Sequence, residues 1–411
     1  MKNVLIIGAG RGQVPIIKIC QKYGYDVHVV SPYGNYPGLR IANHVCDTDI
    51  REYDRVISYA KENSISAVMT DQLDAGVYTA ALVAERLGIK GISTEVANKF
   101  TNKYVMRKAA QEAGINVPKH WKIGSISEID NIHKELVFPL MMKPVDSAAS
   151  RGIYKVASID DIKTHFDYTI SFSKTQEIIL EEYIDGKEYV VEAYTHDHKT
   201  HNLVVGHRDY FDIPETFIPN ATVFRDAVSA DSDIESRLKE INQRLVSSFN
   251  LSFGITHGEY IYNEKQDKIF LVEIAARGGG VFISSDLIPL GCGVDANDLL
   301  VRDALGLPVD DHIAISQGAS AYFCYLTPEG EVCKLDNTDK VKDIQGVDKC
   351  YFDNIELGMK TASIRDKSSR KGPIIVFGKT KDECYKIIDK VRNALDIKIN
   401  TSKGVEDIIW G

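Results

Sequence analysis

The sequence predicts a multidomain protein of mixed α/β and α+β class, on three observations. The N-terminal quarter alternates apolar strands with helices, the pattern of an open parallel sheet. Beyond about residue 101 the pattern changes to strand pairs separated by turns, with long helices between them. From about residue 313 the tail is strand-rich and carries one clear amphipathic helix. A chain of 411 residues is long enough for two or three domains with cores of their own. The expected units are 1–100, 101–312 and 313–411.

The first unit opens with the apolar strand Val4 to Ile7, the turn Gly8-Ala9-Gly10-Arg11-Gly12-Gln13, a helix to about Tyr23 and a second strand, Val27 to Val30. A dinucleotide fingerprint would need glycine at Gln13 and an acid closing the second strand, where Ser31 and Pro32 stand. An NAD-dependent oxidoreductase built on Gly8 to Gly12 is therefore weakened, but it is the alternative from a different class. The glycines still bring a helix N-terminus towards an anion, and a plain packing turn explains them equally well. A helix near Arg51 to Glu62, the strand Ala67 to Met69, a helix from Ala75 to Leu87 and a short helix near Glu95 to Phe100 complete the unit. In open parallel sheets the ligand crevice lies at the carboxyl ends of the strands, here at Gly8 to Gly12 and Thr70-Asp71-Gln72.

The second unit starts with a helix from Lys103 to Ala113, stopped by Gly114 and punctuated by Pro118. Lysine opposes the helix dipole at that end, which suggests an anion there, although a solvated surface lysine is the commoner case. The strand Leu140 to Lys143 leads into the small-residue loop Pro144 to Gly152, which contains Ser150, and then into the strand Ile153 to Val156. Such a loop can fold over a phosphate tail and donate amide hydrogens to it, with Lys143 as a point charge; a solvent loop is the plain alternative. The strand Glu177 to Leu180 runs into Glu181-Glu182-Tyr183-Ile184, turns at Asp185-Gly186 and resumes from Tyr189 to Tyr194. A free amide and carbonyl beside Glu182 and Ile184 would suit the edge of an adenine ring, and Glu188 is placed to accept from ribose hydroxyls. An acidic hairpin without a ligand would show the same run.

His196, His198 and His201 crowd the next hairpin tip, but no cysteine or carboxylate cluster supports a metal there. Arg208 to Phe224, with Pro214, Pro219 and aromatic residues in no clear period, is expected to be a long, lid-like loop. A helix over Asp233 to Phe249 follows, then the strands Gly254 to Tyr262 and Ile269 to Ile274. Each of these strands carries one acid, Glu259 and Glu273. A carboxylate buried in an apolar strand needs a cation or donors, and two facing across a hairpin can hold Mg²⁺; an arginine on each is the structural alternative. Arg277-Gly278-Gly279-Gly280 comes next, its amides and guanidinium suited to an anion, and leads into a helix near Phe282 to Leu290. The tail shows strands at Ala319 to Leu326 and Pro373 to Phe377 and a helix from Lys381 to Ala394, a small α+β cap.

Taken jointly, residues Val4 to about Leu305 resemble the ATP-grasp superfamily of carboxylate–amine ligases. The resemblance rests on Lys103 before a helix, Lys143-Pro144 with its small-residue loop, the Glu-Glu-aromatic-Ile hinge with a later Glu188, and two strand glutamates followed by Arg277. It implies a Rossmann-like pre-ATP-grasp domain, an ATP-grasp domain of two α+β subdomains clamping ATP, with a lid at about 118–186, and a small α+β C-terminal domain. It also implies that Lys103 and Lys143 hold the α and β phosphates, with Ser150 in the loop over them, and that Glu181, Glu182 and Ile184 contact adenine. Glu188 would hold ribose, Glu259 and Glu273 magnesium, and Arg277 would face the reacting carboxylate or γ-phosphate. Lys143 and Arg277 are the catalytic candidates. Two positions depart from the pattern: Ala149 stands where glycine is usual, and Ala275 where many members have an asparagine metal ligand.

The implied activity is that of an ATP- and Mg²⁺-dependent ligase, with Mn²⁺ as a substitute ion, that activates a carboxylate as an acyl phosphate and joins it to an amine, as an amino-acid ligase does. Within the superfamily the alternative is a purine-pathway or carbamoyl-phosphate-synthase-like enzyme using phosphoribosyl-amine, bicarbonate or carbamate. The partners expected are small-molecule carboxylates and amines, with a homodimer left open. The net charge of −9, from 49 basic and 58 acidic residues, argues against nucleic acid or a membrane surface as the main partner. Seven cysteines without a CxxC pair, a start that enters a strand at once and no membrane-length apolar run point to the cytoplasm.

Overall fold

The computed structural model describes residues 2–147, 151–213, 216 and 218–411. Its N-terminal layer is a four-stranded parallel sheet of β1 (Asn3–Ile7), β2 (Asp26–Val30), β3 (His44–Cys46) and β4 (Ile65–Met69), in the order β3-β2-β1-β4. The helices α1 (Val14–Lys22), α2 (Pro37–Ile41), α3 (Tyr53–Glu62), α4 (Asp74–Leu87) and α5 (Thr94–Thr101) accompany it. β1 is apolar throughout because both faces are covered. Val4 and Ile6 pack with α1 and the body of the protein, whereas Leu5 and Ile7 pack with α3 and α4.

Helix α6 (Lys103–Glu112) is the pivot between this layer and the rest. The Asn102 side chain caps it, accepting from the Tyr104 and Val105 amides at 3.1 Å each. The Lys103 amide donates to the Val145 carbonyl at 2.8 Å, which ties the helix start to the end of β6. Its buried positions, Lys103, Met106, Arg107 and Ala110, follow the one-face spacing of a helix, so a lysine and an arginine both point inward. A second sheet, β5-β8-β6-β7, follows from β5 (His120–Ile123), α7 (Ile129–Ile132), β6 (Leu140–Pro144), β7 (Tyr154–Val156), α8 (Ile159–Ile170) and β8 (Ile178–Glu182). It is antiparallel and has its own small core, including Leu140, Met142, Ile162, Ile178 and Leu180.

The largest sheet has eight antiparallel strands. β9 (Lys187–His196), β10 (Lys199–Tyr210), β11 (Pro219–Asp226), α9 (Asp233–Ser248), β12 (Gly254–Asn263) and β13 (Lys268–Ala275) come first, followed by α10 (Ile288–Cys292) and α11 (Ala296–Ala304). The C-terminal segment adds β14 (Ala319–Tyr325), β15 (Gly330–Asp336), α12 (Thr338–Lys342), β16 (Val347–Cys350), β17 (Lys360–Thr361), β18 (Lys371–Gly378), α13 (Lys381–Ala394), β19 (Asp396–Thr401) and β20 (Gly404–Asp407). Strand order in the large sheet is β13-β12-β9-β10-β11-β14-β18-β16, so the tail completes it as well as forming a separate sheet, β17-β15-β19-β20.

The expected long loop at Arg208 to Phe224 is strand at both of its ends. β10 runs on to Tyr210 and pairs with β11 from Val204↔Asp226 to Tyr210↔Pro219. Pro219 does not interrupt the ladder because it is the first residue of its strand. The helix expected from Phe282 is also changed. Val281 and Phe282 are both left-handed, at φ 61° each, and a π-turn at Ile283–Leu287 precedes α10. A left-handed valine is strained, and this one follows directly on the glycine loop.

Candidate active site

A cavity of about 450 Å³ lies between the second sheet, the large sheet and the N-terminal layer. Lys103, Lys143, Glu188, Glu259, Glu273 and Arg277 all line it, although they come from segments up to 174 positions apart in the chain, from 103 to 277. Glu181, Glu182 and Ile184 line it as well. Ser150 lies outside the described residues.

At the hinge side the charges are already arranged. Glu181 is fully buried between two cations, Arg107 Nε at 2.6 Å and Lys143 Nζ at 2.7 Å. Burial alone would push this carboxyl up, but Arg107 and then Lys143 outweigh it and hold it at about 2. Both oxygens of the Glu181 side chain are therefore taken, one by Arg107 and one by Lys143. Arg107 also bonds the Val272 carbonyl, linking α6 to β13. The amide expected to be free at Glu182 is not: it donates to the Lys119 carbonyl at 2.8 Å, and the Tyr183 amide donates to the Pro139 carbonyl at 3.2 Å. The Ile184 amide has no partner among the described residues, so the hinge offers its donor there. Gly186 closes the turn, where a side chain would meet the Tyr262 carbonyl at 2.2 Å.

The two strand acids face each other, with Glu259 and Glu273 paired across β12 and β13. The cations on them are not two arginines. Glu273 accepts from Lys103 Nζ at 2.9 Å, and that ammonium also reaches the Ser147 carbonyl at 2.8 Å. Glu259 accepts from Arg208 Nη1 at 2.6 Å and sits 3.0 Å from His257 Nε2. Burial opposes the charge on Glu259, but Arg208 and His257 hold its carboxyl well below the usual range. Arg208 bridges to Glu188, which also accepts from the Tyr210 hydroxyl. The candidate ribose and metal carboxylates thus share one guanidinium. Ala275, where a third ligand would stand, is buried, and no group of three or more His, Cys, Asp or Glu able to hold a metal occurs among the described residues. Two hard carboxylate oxygens fit Mg²⁺, which keeps water and phosphate in the rest of its shell.

Arg277 pairs with neither strand acid. Its Nε and Nη2 grip the two oxygens of Asp74 at 2.9 and 3.0 Å, and Nη1 donates to the Gly278 carbonyl. The glycine loop behind it departs from expectation, because the first two of its amides are not available to an external anion. The Gly278 amide donates to Asp71 at 2.8 Å and the Gly279 amide to Glu192 at 3.3 Å. Both acceptors are buried carboxylates from other parts of the chain. Asp71 also takes Ser284 and Asn297, so this residue at the end of β4 acts as a loop anchor.

The N-terminal glycine turn is filled in a different way. The Gln13 side chain folds back, accepts the Gly10 amide at 2.8 Å and donates to the Asp71 carbonyl. A side chain thus occupies the Gly10 amide, one of the donors a pyrophosphate at this turn would use.

Several site residues escaped the sequence reading: Arg107, Glu192, Arg208, His257 and, from the C-terminal segment, Lys367 and Arg370. The Lys367 ammonium lines the cavity with no hydrogen-bond partner among the described residues, and burial lowers its pKa despite Glu259 nearby. Arg365 and Arg370 line the same wall. Glu192, in the apolar run Val190-Val191-Glu192-Ala193, carried the same signal that singled out Glu259 and Glu273.

Residues 136–286 match the family described as the ATP-grasp domain. Over 97% of both chains, the sequence is 25% identical to the formate-dependent phosphoribosylglycinamide formyltransferase of Sulfurisphaera tokodaii. Among solved structures, the fold is similar to that of an L-amino acid ligase from Bacillus licheniformis, with a TM-score of 0.80 at 20% identity over 98% of this chain and 99% of that one. It is also similar to a phosphoribosylglycinamide synthetase from Anaerococcus prevotii, with a TM-score of 0.72 at 21% identity over 96% and 99%.

Proposed function

We propose that this chain, which carries an ATP-grasp domain within the fold of ATP-dependent ligases, couples ATP cleavage to carbon–nitrogen bond formation. A carboxylate oxygen of the substrate attacks the γ-phosphorus, the bond to the β–γ bridging oxygen breaks, and ADP leaves with that electron pair. An amine then attacks the acyl phosphate carbon, phosphate departs and the nitrogen loses a proton. The observation that carries this reading is the convergence of Lys103, Lys143, Glu188, Glu259, Glu273 and Arg277 on one cavity. No enzyme nucleophile is required.

In this reading Lys103 and Lys143 hold phosphate oxygens, the Ile184 amide meets the adenine edge, and Glu188 meets ribose. Glu259 and Glu273 would hold Mg²⁺, which when bound neutralises charge on the transferring phosphoryl group. Lys103 would exchange Glu273 for phosphate as nucleotide enters. Arg277, held by Asp74, presents its remaining edge to the substrate carboxylate and then to the tetrahedral oxyanion. Small-molecule substrates suit a cavity of this size.

A second reading, with a phosphorylated amine as acceptor, is favoured by the C-terminal wall. Arg365, Lys367 and Arg370 bring cations to the cavity beyond those the nucleotide needs, and a substrate phosphate would pair with them. One experiment tests both readings. The purified protein is assayed for ADP release and product mass with amino acids singly and in pairs, and with formate plus phosphoribosylglycinamide. Thermal shifts with Mg-ATP and with NAD accompany it. A shift with NAD and none with Mg-ATP would remove the ligase reading.

A further inference from the structure

Glu192 is fully buried in the middle of β9, yet both of its oxygens are used, each by a different partner. Oε2 accepts the Gly279 amide at 3.3 Å, in the loop that carries Arg277. Oε1 meets Nδ1 of His257, its direct cross-strand neighbour in the β9–β12 register. The other imidazole nitrogen, Nε2, lies 3.0 Å from Glu259 Oε1, and Arg208 continues the chain to Glu188. Glycine is required where the loop meets this carboxylate. A Cβ on Gly279 would stand 2.7 Å from His257 Nδ1 and 2.9 Å from Glu192 Oε1. One buried carboxylate therefore joins the acyl-side loop to the nucleotide-side carboxylates.

Resting on the ligase reading above, we propose that Glu192 is a positioning residue: it holds the Gly279 backbone with one oxygen and His257 with the other, and so sets the Arg277 loop against the Glu259 carboxylate. A carboxylate accepts on both sides at once: the Gly279 amide can only donate, and His257 Nδ1 can donate to Oε1. Glutamine has the same shape but one acceptor oxygen, so Glu192→Gln can keep the Gly279 amide only by turning its NH₂ towards Nδ1, which forces that nitrogen to accept and removes the charge beside the ring. Asp71, the other carboxylate on the loop, holds Gly278, Ser284 and Asn297 and, among the described residues, hydrogen-bonds neither His257 nor Glu259. It serves as the reference for a loop anchor alone.

The test compares wild type, Glu192→Gln, Gly279→Ala and Asp71→Asn by three measurements. These are melting temperature, Mg²⁺ dependence of binding of a non-hydrolysable ATP analogue by calorimetry, and steady-state ADP release with a substrate pair the wild type turns over. Partners that orient a metal ligand typically matter by roughly ten- to a hundredfold, so kcat should fall by that factor in Glu192→Gln. The KM for ATP should move less than about threefold, while the Mg²⁺ concentration for half-maximal analogue binding rises. In Asp71→Asn the Mg²⁺ requirement should stay at the wild-type value. Wild-type kcat and Mg²⁺ dependence in folded Glu192→Gln would overturn the proposal. Should that variant fail to fold, Gly279→Ala pushes the loop off the carboxylate without altering it, and wild-type kcat there overturns the proposal equally. A wild type that binds no analogue and releases no ADP removes the ligase reading and this proposal together.

Discussion

Two glycine-containing turns in this molecule look alike in sequence and differ in what fills them. At Gly8 to Gln13 the Gly10 amide is closed by a neutral side chain three residues away, Gln13. At Arg277 to Gly280 the first two amides are closed by carboxylates from remote elements, Asp71 and Glu192, and an arginine projects into the cavity. Closure by a neighbour makes a turn self-sufficient, whereas closure by distant charges ties a loop to everything those charges touch. The same division holds for buried histidines. His28, in the N-terminal layer, is kept neutral by burial, with its pKa lowered to about 4. Burial also opposes the charge on His257, but Glu192 and Glu259 overcome it and push the pKa up to about 9. Between these two histidines, charge is buried beside the cavity and avoided in the supporting sheet.

The contrast is tested hardest at the candidate metal pair, Glu259 and Glu273. Glu273→Gln keeps the shape and removes one of two facing negative charges, so turnover should fall by at least about a hundredfold if phosphoryl transfer relies on an ion there. ADP release is the measurement. Wild-type rates in a folded Glu273→Gln protein would mean that the charged side of the comparison is structural, like the turn at Gly8.

Arg277 comes next. Because its partner is Asp74 and not a strand acid, substitution leaves the Glu259–Glu273 pair intact. Lysine lacks the planar fork that can grip Asp74 and a ligand together, so Arg277→Lys should lose roughly tenfold or more in ADP release while binding the ATP analogue normally. If Arg277→Lys retains turnover and Arg277→Ala mainly loses melting temperature, the arginine is an anchor for α4, and the loop comparison collapses.

A smaller effect is expected for Lys143→Ala. Glu181 keeps Arg107 at 2.6 Å, so the buried carboxylate stays paired and the hinge holds. Affinity for the ATP analogue should fall by about tenfold, the scale of one charge-assisted phosphate contact. Unchanged affinity by calorimetry would leave Lys143 as a counter-ion of Glu181 only.

Much of the scaffold was legible in the sequence, for a physical reason. Apolar runs such as Val4 to Ile7 and Ile178 to Leu180, bounded by turn residues, read as buried strands, and acids embedded in similar runs, Glu259 and Glu273, stood out as needing partners. What stayed hidden was the identity of those partners. Arg208 sits in a stretch whose prolines and aromatics mask a strand, and its role appears only once β10 lies between β9 and β11. Arg107 was nearer to reach, since Lys103, Met106, Arg107 and Ala110 already mark one helix face. The occupied amides of Gly278 and Gly279 were not legible at all, because their acceptors lie 207 and 87 positions away. The fold, then, followed from local pattern. The state of the site depended on pairings made over long distances.

The smallest expected effect concerns the neutral side of the comparison. His28 is buried on β2, stacked on His44 and 2.8 Å from the Tyr59 hydroxyl through Nδ1, while Nε2 has no partner among the described residues. Burial is the main reason its pKa falls to about 4, His44 adds to the effect, and Asp26 opposes it. The unfolded chain takes up this proton near pH 6.5, the folded one only near 4, so the unfolded state binds more protons across that window. Stability contributed by neutral His28 is therefore complete above pH 6.5 and is lost as the pH falls towards 4. Between pH 7 and 5.5, where most carboxylates remain ionised, the loss should be on the order of 1 kcal/mol. Chemical denaturation of wild type and His28→Gln across that range measures it, with ATP-analogue affinity as the control. The wild-type curve should fall more steeply than the variant curve while both proteins bind the analogue alike. Parallel stability curves would show that His28 takes up its proton alike in the folded and unfolded chain, and the contrast with His257 would then lose its N-terminal half.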